Sequence, residues 1–167
     1  MQLRPYEPAD ATPVYEVHRR AFGGRPDEAR IAARLAAAGR DPVSLVAVAG
    51  DAVVGHVIFS PVALDGPGAH LTMVGLGPIG VLPDHQNQGI GGRLIRRGLV
   101  DCRAAGYDAV VVLGAPEYYH RFGFERASDH RLANEYGVDD EFMVVSLGSP
   151  LSGAQATVRY ASEFAGA

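Results

Sequence analysis

A glycine-rich turn followed by arginines is the part of the chain whose residue types best fit chemistry. It runs from Gln86 to Gly92, between an apolar run that ends at Leu82 and a helical pattern that begins at Gly91. Glycines let a ligand approach the backbone, and the first amides of a helix have no partner within that helix. These amides also lie at the positive end of the helix dipole, so the turn predicts an anion site suited to phosphate.

Arginines follow this turn on the first two turns of the helix. Arg93, Arg96 and Arg97 lie there, and these turns contain no acidic residue. Cations at this end of a helix oppose its dipole. A phosphate-bearing ligand would supply the missing negative charge, but Arg96 and Arg97 themselves are expected on a solvated helix face.

A dinucleotide-binding turn is a second interpretation of the same glycines. Gly89-Ile90-Gly91 begins like the G-x-G-x-x-G fingerprint, but Leu94 stands where its third glycine would be. No Asp or Glu closes the following strand pattern, Ala109–Leu113, where a partner for a ribose is expected. Both departures disfavour this interpretation.

The composition excludes several other mechanisms. All 15 basic residues are arginines, so there is no Walker A phosphate loop, no Schiff-base lysine and no kinase-type catalytic lysine. The net charge of −4 does not favour nucleic acid as a partner. The single cysteine, Cys102, allows no intramolecular disulfide, and the six histidines lack zinc-site spacing, so no metal is expected.

Length and hydropathy predict the number of domains and the location of the protein. A chain of 167 residues is expected to form one domain that spans residues 1–167. The sequence contains no run of ~18 apolar residues that would predict a membrane span. Its start, MQLRPYEPAD, lacks the apolar core of a signal peptide. We therefore expect a cytoplasmic protein without a membrane partner.

The hydrophobic pattern predicts an α/β (α+β) fold, with helices flanking a mixed central sheet. Asp10 is expected to cap the first helix, and Gly50-Asp51 to form a hairpin turn. The predicted elements are, in chain order, strand Met1–Tyr6, helices Asp10–Phe22 and Asp27–Ala38, strands Ser44–Ala49, Val53–Ser60 and Leu71–Leu82, helix Gly91–Ala105, strand Ala109–Leu113, helix Glu117–Phe122 and strand Glu141–Leu147.

The strand pattern that precedes the glycine-rich turn is interrupted. Leu71–Leu82 contains three glycines and Pro78. Proline lacks a backbone donor and glycine weakens pairing, so the pattern predicts a bulge in this strand.

These segments together resemble the GNAT superfamily of N-acetyltransferases. Gln86-Asn87-Gln88-Gly89-Ile90-Gly91 matches its (Q/R)-x-x-G-x-(G/A) signature, and Gly77–Pro83 resembles its bulged fourth strand. Tyr119–Phe124 resembles its Y-x-x-x-G-F segment, and the longer run Pro116–Phe124 is similar to predicted acetyltransferases of the YhbS type. The order of elements fits from Leu3 to Leu147. The resemblance implies the GNAT fold, whose mixed central sheet is splayed at the bulged fourth strand.

The resemblance also implies how acetyl-CoA would bind as co-substrate. The amides of the glycine-rich loop would hold the pyrophosphate, with Arg93 near a phosphate. The pantetheine arm would lie in the splay and pair with the backbone of Ile79 and Val81. The loop residues to which the resemblance assigns pyrophosphate binding are Gln86, Asn87, Gln88, Gly89, Ile90, Gly91 and Gly92.

The implied reaction is direct transfer of the acetyl group to a primary amine. The Val81 N–H would donate to the carbonyl oxygen, as in an oxyanion hole. Tyr119 matches the general acid that protonates the leaving thiolate, and Tyr118 is the alternative. The general base is open, and its candidates are Glu117, His120, His56 and a water relay.

Three points stay open from the sequence. A non-catalytic acyl-CoA-binding sensor or scaffold is the alternative function, although Tyr119 favours the enzyme. The acceptor, a small-molecule or peptide amine, would be shaped by the N-terminal helices, by Asp65–Leu71 and by the acidic segment Asp129–Asp140. Many domains of this family dimerise, but no feature of this sequence shows whether this protein forms a dimer. Cys102 is expected in the core rather than as a nucleophile.

Overall fold

The computed structural model describes residues 1–165 and consists of two sheets and four α-helices. Short 3-10 turns connect several of these elements. The strands are β1 (Gln2–Pro5), β2 (Val43–Ala49), β3 (Ala52–Pro61), β4 (Ala63–Asp65), β5 (Met73–Val81), β6 (Ala109–Leu113), β7 (Glu125–Arg126), β8 (Leu132–Asn134), β9 (Phe142–Ser146) and β10 (Ala156–Arg159). The helices are α1 (Ala11–Ala21), α2 (Asp27–Ala37), α3 (Ile90–Ala104) and α4 (Pro116–Tyr119).

The main sheet has seven strands in the order β1-β2-β3-β5-β6-β9-β7. Its β5–β6 pair is parallel and its other pairs are antiparallel. This mixed sheet with flanking helices is the predicted α/β class, and β6 lies inside the sheet as its continuous apolar pattern indicates.

Alternate residues of the strands supply two cores on opposite faces of this sheet. On one face, Val110 and Val112 pack in the cluster that contains Leu94 and Ile95 of α3. On the other face, Val111 packs under the second sheet. Helix α2 also covers that second face, where Ile31 and Leu35 contact Ile58.

The β2–β3 hairpin turns at Gly50-Asp51, as predicted. Gly50 has φ +61°, a conformation that glycine adopts without strain, and Ala49 pairs with Ala52 beside it. Asp10 is the N-cap residue of α1, as predicted, but its carboxylate makes no hydrogen bond to α1, because it accepts hydrogen bonds from Arg4 at 2.8 and 2.9 Å and from the Glu7 N–H at 2.8 Å. The ion pair with Arg4 therefore replaces the bond to α1.

Strand β5 carries the predicted bulge. Val57 pairs with Ile79 but Phe59 pairs with Leu76, so β5 holds one residue more than β3 between these pairs. The extra length lies at Gly77-Pro78, which has a cis peptide bond.

Strands β5 and β6 separate beyond this point. The pairs between them run from Met73–Ala109 to Gly75–Val111. In the described chain, β5 and β6 form no pair beyond Gly75–Val111. We call the space between Leu76–Val81 and the end of β6 the gap.

A second sheet was not predicted. It has three strands in the order β4-β10-β8, and β10 pairs antiparallel with β4 and parallel with β8. It covers Met73, Ala109 and Val111 of the main sheet. Strands of three or four residues are too short to show a clear alternation of apolar and polar residues, so the pattern gave no signal for them. The two-residue β7 was missed for the same reason.

Within residues 1–165, none of the helices has both the length and the apolar character that a membrane span needs.

Candidate active site

The glycine-rich loop presents free backbone amides at the start of α3. Asn87 and Gly89 have φ +61° and +80°, and this left-handed geometry turns the chain sharply into the helix. The Arg93 N–H donates to the Gly89 carbonyl at 3.1 Å and closes the first helical turn. The amides of Ile90, Gly91 and Gly92 precede that bond, so they are the unpaired N-terminal donors of the helix.

A cavity of about 520 Å³ opens in front of these amides. Two guanidinium groups line it. Arg96 lies 4.9 Å from the Phe122 ring centroid and Arg121 lies 4.6 Å from that of Tyr118. His85 Nδ1 is buried without a hydrogen-bond partner in the described chain. The lining residues are Val81, His85, Gln86, Asn87, Gly89, Ile90, Gly91, Gly92, Arg96, Tyr118, Arg121 and Phe122.

This lining has no acidic side chain among the described residues, so it is positively charged. Gly91 lies close to Tyr118, since a Cβ there would be only 3.3 Å from Tyr118 Oη. The arrangement can bind a polyanion of the size of a pyrophosphate through amides and arginines.

Two predicted loop residues lie away from this cavity. Gln88 and Arg93 are exposed and do not line it, and Gln88 donates to the Asp84 carbonyl at 3.4 Å. Arg96 is exposed, as expected, but it also lines the cavity, whereas Arg97 pairs with Asp101 at 3.1 Å on the outer face.

The free backbone groups of β5 point into the gap. The Leu82 N–H donates to the Val54 carbonyl at 2.8 Å, which shows that Leu82 faces β3. Residues two apart on a strand face the same neighbour, so Gly80 also faces β3. Ile79 and Val81 therefore face away from β3, toward β6 and the gap.

Gln86 links the loop to this strand. Its side-chain amide donates to the Val81 carbonyl at 2.9 Å. The contact holds the end of β5 against the start of the loop.

Tyr118 and Tyr119 point to different places. Their rings are nearly perpendicular, at 87°, with centroids 5.1 Å apart. Tyr118 is half-buried and its hydroxyl reaches the loop beside Gly91, and burial raises its pKa.

Tyr119 is 8% exposed and packs against Phe124. Its ring lies so close to Gly114, the residue after β6, that a Cβ there would be 2.3 Å from Cε2. Burial is the main cause that raises the pKa of Tyr119 to about 12.

None of the three candidate bases lines the cationic cavity. Glu117 and His120 are exposed on a different cavity, and His120 Nδ1 lies 2.9 Å from the Phe124 carbonyl. His56 is buried, with Nδ1 at 2.8 Å from His18 Nε2 and Nε2 at 2.8 Å from Ser44 Oγ. Burial, and then the nearby His18, lowers the pKa of His56 well below its usual value, so it is neutral.

An acidic cavity of about 520 Å³ lies beyond α4. Arg126 crosses it and lies 3.8 Å from both Asp139 and Asp140. Of the acidic segment predicted to shape the acceptor, Asp129 and Asp140 line this cavity, whereas Glu135 accepts a backbone hydrogen bond from Tyr160 at 3.0 Å. The lining residues are Pro116, Glu117, His120, Glu125, Arg126, Asp129, Asp140, Glu141 and Met143.

Metal and cysteine chemistry have no support in the described chain. Residues 1–165 hold no group of three or more His, Cys, Asp or Glu side chains that could bind a metal ion. Cys102 is buried in α3, and burial raises its pKa to about 12, which keeps it as an unreactive thiol.

Comparison with known proteins finds relatives over nearly the whole chain. The model of the acetyltransferase (GNAT) domain matches residues 2–127. The uncharacterized N-acetyltransferase YhbS of Escherichia coli K12 is 36% identical over 98% of this chain and 98% of its own length. The uncharacterized N-acetyltransferase YjhQ of the same strain is 36% identical over 80% of this chain and 75% of its own.

Solved structures agree with these matches. The crystal structure of Escherichia coli YhbS in complex with CoA superposes with a TM-score of 0.90 at 35% identity, covering 98% of this chain and 91% of that one. A GNAT family acetyltransferase from Brucella melitensis in complex with acetyl-CoA gives 0.81 at 36% identity, covering 98% and 97%. These superpositions confirm the predicted fold class.

Proposed function

Because this chain belongs to the GNAT acetyltransferase family, we propose that it transfers an acetyl group from acetyl-CoA to a primary amine by direct attack in a ternary complex. The acceptor is unidentified. The observation that carries the proposal is that Val81, whose backbone faces the gap between β5 and β6, also lines the cationic cavity at the start of α3. The crystallised relatives bind CoA and acetyl-CoA, which supports the same ligand here.

The residues present fit that ligand. The amides of Ile90, Gly91 and Gly92 and the guanidinium of Arg96 would bind the pyrophosphate. Arg121 adds a second charge at the cavity. Gln86, Asn87 and Gly89 keep the role of binding the pyrophosphate, because they line the cavity. Gln88 would contribute only to the shape of the turn, and Arg93 only through the long-range effect of its charge.

Ile79 and Val81 would pair with the pantetheine arm. Their backbone groups face the gap, although both residues stay in register with β3, and the bulge at Gly77-Pro78 shifts that register by one residue relative to Leu76. An amide-rich chain in the gap would then complete the hydrogen bonding of a strand that has lost its neighbour.

Bound acetyl-CoA supplies an activated acyl group as a thioester. The Val81 N–H donates to the acyl oxygen as it gains negative charge during attack. The acceptor nitrogen forms the new C–N bond, the C–S bond breaks, and Tyr119 gives its proton to the leaving sulfur. With a pKa of about 12, the Tyr119 phenol is protonated at neutral pH and is available as a proton donor.

Tyr118 is the alternative proton donor, although its hydroxyl lies at the loop rather than beside β6. The amine loses its proton to water, because Glu117 and His120 lie on another cavity and His56 is enclosed by His18 and Ser44. A water relay requires no dedicated side chain at the acyl group.

A non-catalytic acyl-CoA-binding module is the second candidate function. One observation favours it: burial leaves Tyr119 with a raised pKa, and a weaker acid protonates a thiolate less readily. Such a module would bind acetyl-CoA and release no CoA with any amine.

Calorimetry and a CoA-release assay test both functions. We expect acetyl-CoA to bind, and analogues without phosphate groups to bind at least about tenfold more weakly, because charged hydrogen bonds are lost. Spermidine, phenethylamine, a tripeptide with a free N-terminal alanine and kanamycin serve as acceptor probes. Binding without turnover would favour the module, and a chain that binds no CoA species would contradict both candidates.

A further inference from the structure

The segment that follows the family match brings one tyrosine to the gap. Tyr160 directly follows β10, whereas the match ends at residue 127. Its N–H donates to Glu135 Oε1 at 3.0 Å. Its ring packs against Tyr136 and Phe164, with centroids 6.1 and 5.3 Å apart. These contacts hold the ring in place.

The ring of Tyr160 covers Gly75 at the closed end of the gap. A Cβ at Gly75 would lie only 2.6 Å from Cε1 and 3.2 Å from Cδ1 of the tyrosine. Gly75 pairs with Ser60 on one side and with Val111 on the other, and the Gly75–Val111 pair is the last before β5 and β6 separate. The tyrosine therefore fills the space of the side chain that position 75 lacks.

The hydroxyl of Tyr160 has no partner in the described chain. Its oxygen is buried and makes no hydrogen bond, and the same holds for Ser60 Oγ on the residue paired with Gly75. A buried hydroxyl without a partner is costly, so two at one point of the sheet indicate a polar ligand atom. Burial raises the pKa of Tyr160, which keeps the phenol protonated and able both to donate and to accept.

Tyr160 and Tyr119 approach the gap from opposite faces of the sheet. Tyr119 belongs to the core beneath α3, and Tyr160 packs against the core beneath the second sheet. The two phenols are close enough that Tyr119 contributes to the raised pKa of Tyr160. Atoms in the gap would therefore meet one phenol on each side.

We infer that the Tyr160 hydroxyl contacts the acceptor: its oxygen accepts a hydrogen bond from the N–H of the attacking amine and directs the nitrogen lone pair at the acyl carbon. The inference rests on the proposed function, because it assigns a substrate contact at the same acyl-transfer site. The amine then reaches the acyl group from the face that the second sheet covers, opposite to Tyr119 and α3.

Kinetics of Tyr160→Phe test this contact. The variant keeps the ring and its packing but removes the hydroxyl. With the amine probes that support turnover, we expect kcat/KM for the amine to fall about tenfold or more, with the dissociation constant of acetyl-CoA and the melting temperature unchanged. Tyr136→Phe is the matched control, since its ring is adjacent and 52% exposed. Equal kcat/KM values for Tyr160→Phe and wild type would overturn the inference.

A crystal structure of the wild-type protein with acetyl-CoA gives a second test that needs no acceptor. We expect Tyr160 Oη to hydrogen-bond a water molecule beside the acetyl group, in the place of the amine. A hydroxyl bonded instead to a protein group, or one that faces away from the acetyl group, would overturn this inference alone. A chain that binds no acetyl-CoA would overturn the proposed function, and this inference with it.

Discussion

Two adjacent tyrosines show that neighbouring residues of the same type can lie in quite different surroundings in this protein. Tyr118 and Tyr119 have the same functional group, yet one hydroxyl reaches the glycine-rich loop and the other ring packs beside Gly114 in the core. Their different positions predict different phenotypes for the same chemical change.

Tyr119→Phe is expected to lower kcat by about 10²-fold or more, because a positioned proton donor is lost. The dissociation constant of acetyl-CoA should stay the same. Tyr118→Phe should instead weaken acetyl-CoA binding several-fold, since its hydroxyl lies by Gly91. Steady-state kinetics and calorimetry separate the two. The reverse pattern would make Tyr118 the acid.

The buried pair His18–His56 predicts a dependence of stability on pH. Burial lowers the pKa of His18 to about 4, and burial followed by His18 lowers that of His56. The facing groups are Ser44, Tyr6 and the Asp10 carboxylate, which partly opposes the shift of His56. An unfolded histidine titrates near ~6.5, so the unfolded state takes up protons first as the pH falls.

The contribution of these histidines to the free energy of unfolding should therefore be constant above about pH 7 and fall as the pH drops from ~6.5 toward ~4, by about 3 kcal/mol from His18 alone. Urea unfolding at several pH values measures it. The double variant His18→Leu/His56→Leu should lose most of this dependence. A wild-type urea midpoint that does not change between these pH values would contradict the prediction.

Residue roles were only partly predictable from the sequence. The loop amides follow from a turn and a helix start, which are local features. Arg96 was placed on a solvated face, because sequence spacing does not show that Phe122 of a distant segment stacks with it and draws it to the cavity. Tyr160 gave no signal, since its position depends on a sheet formed by three separate segments.

At the scale of elements, the turn between β5 and α3 depends on glycine at one backbone position. Gly89 has φ +80°, and no atom lies within 4 Å of a Cβ placed there. The space in front of it is the proposed pyrophosphate site. A side chain at position 89 would therefore strain the backbone and also occupy the space of the ligand.

Gly89→Val is expected to reduce acetyl-CoA affinity by at least about tenfold, together with a loss of stability of roughly 1–2 kcal/mol from the left-handed conformation. Gly50→Val is the matched control, because Gly50 has φ +61° and equally open space in a hairpin turn. The two variants should lose similar stability in thermal unfolding. Retained affinity in Gly89→Val would contradict the assignment of the loop.

The long elements were predicted well and the short ones were not. Helices α1, α2 and α3 and the longer strands of the main sheet have enough residues to show a period, and Pro78 with its neighbouring glycines located the bulge in β5. Strands β4, β8 and β10 form through pairing between segments that lie far apart in the sequence. Local patterns contain no information about such partners.

At the scale of the whole molecule, the proposed sites of the two substrates lie on opposite faces of the main sheet. The cationic cavity lies on the side of α3, and the second sheet covers the opposite face. Sites on opposite faces can be occupied at the same time, so the proposed ternary complex would not require either substrate to leave before the other binds. The absence of lysine is compatible with this design, because amides and arginines supply the anion site.

The second sheet also has a consequence for the order in which the protein matures. Strand β10 and Tyr160 are synthesised after every strand of the main sheet. A nascent chain that has already formed the loop, α3 and the gap still lacks the tyrosine that closes the acceptor side. Under the proposed contact, cofactor binding should thus not depend on β10, and acyl transfer should become possible only once this strand has paired with β4 and β8.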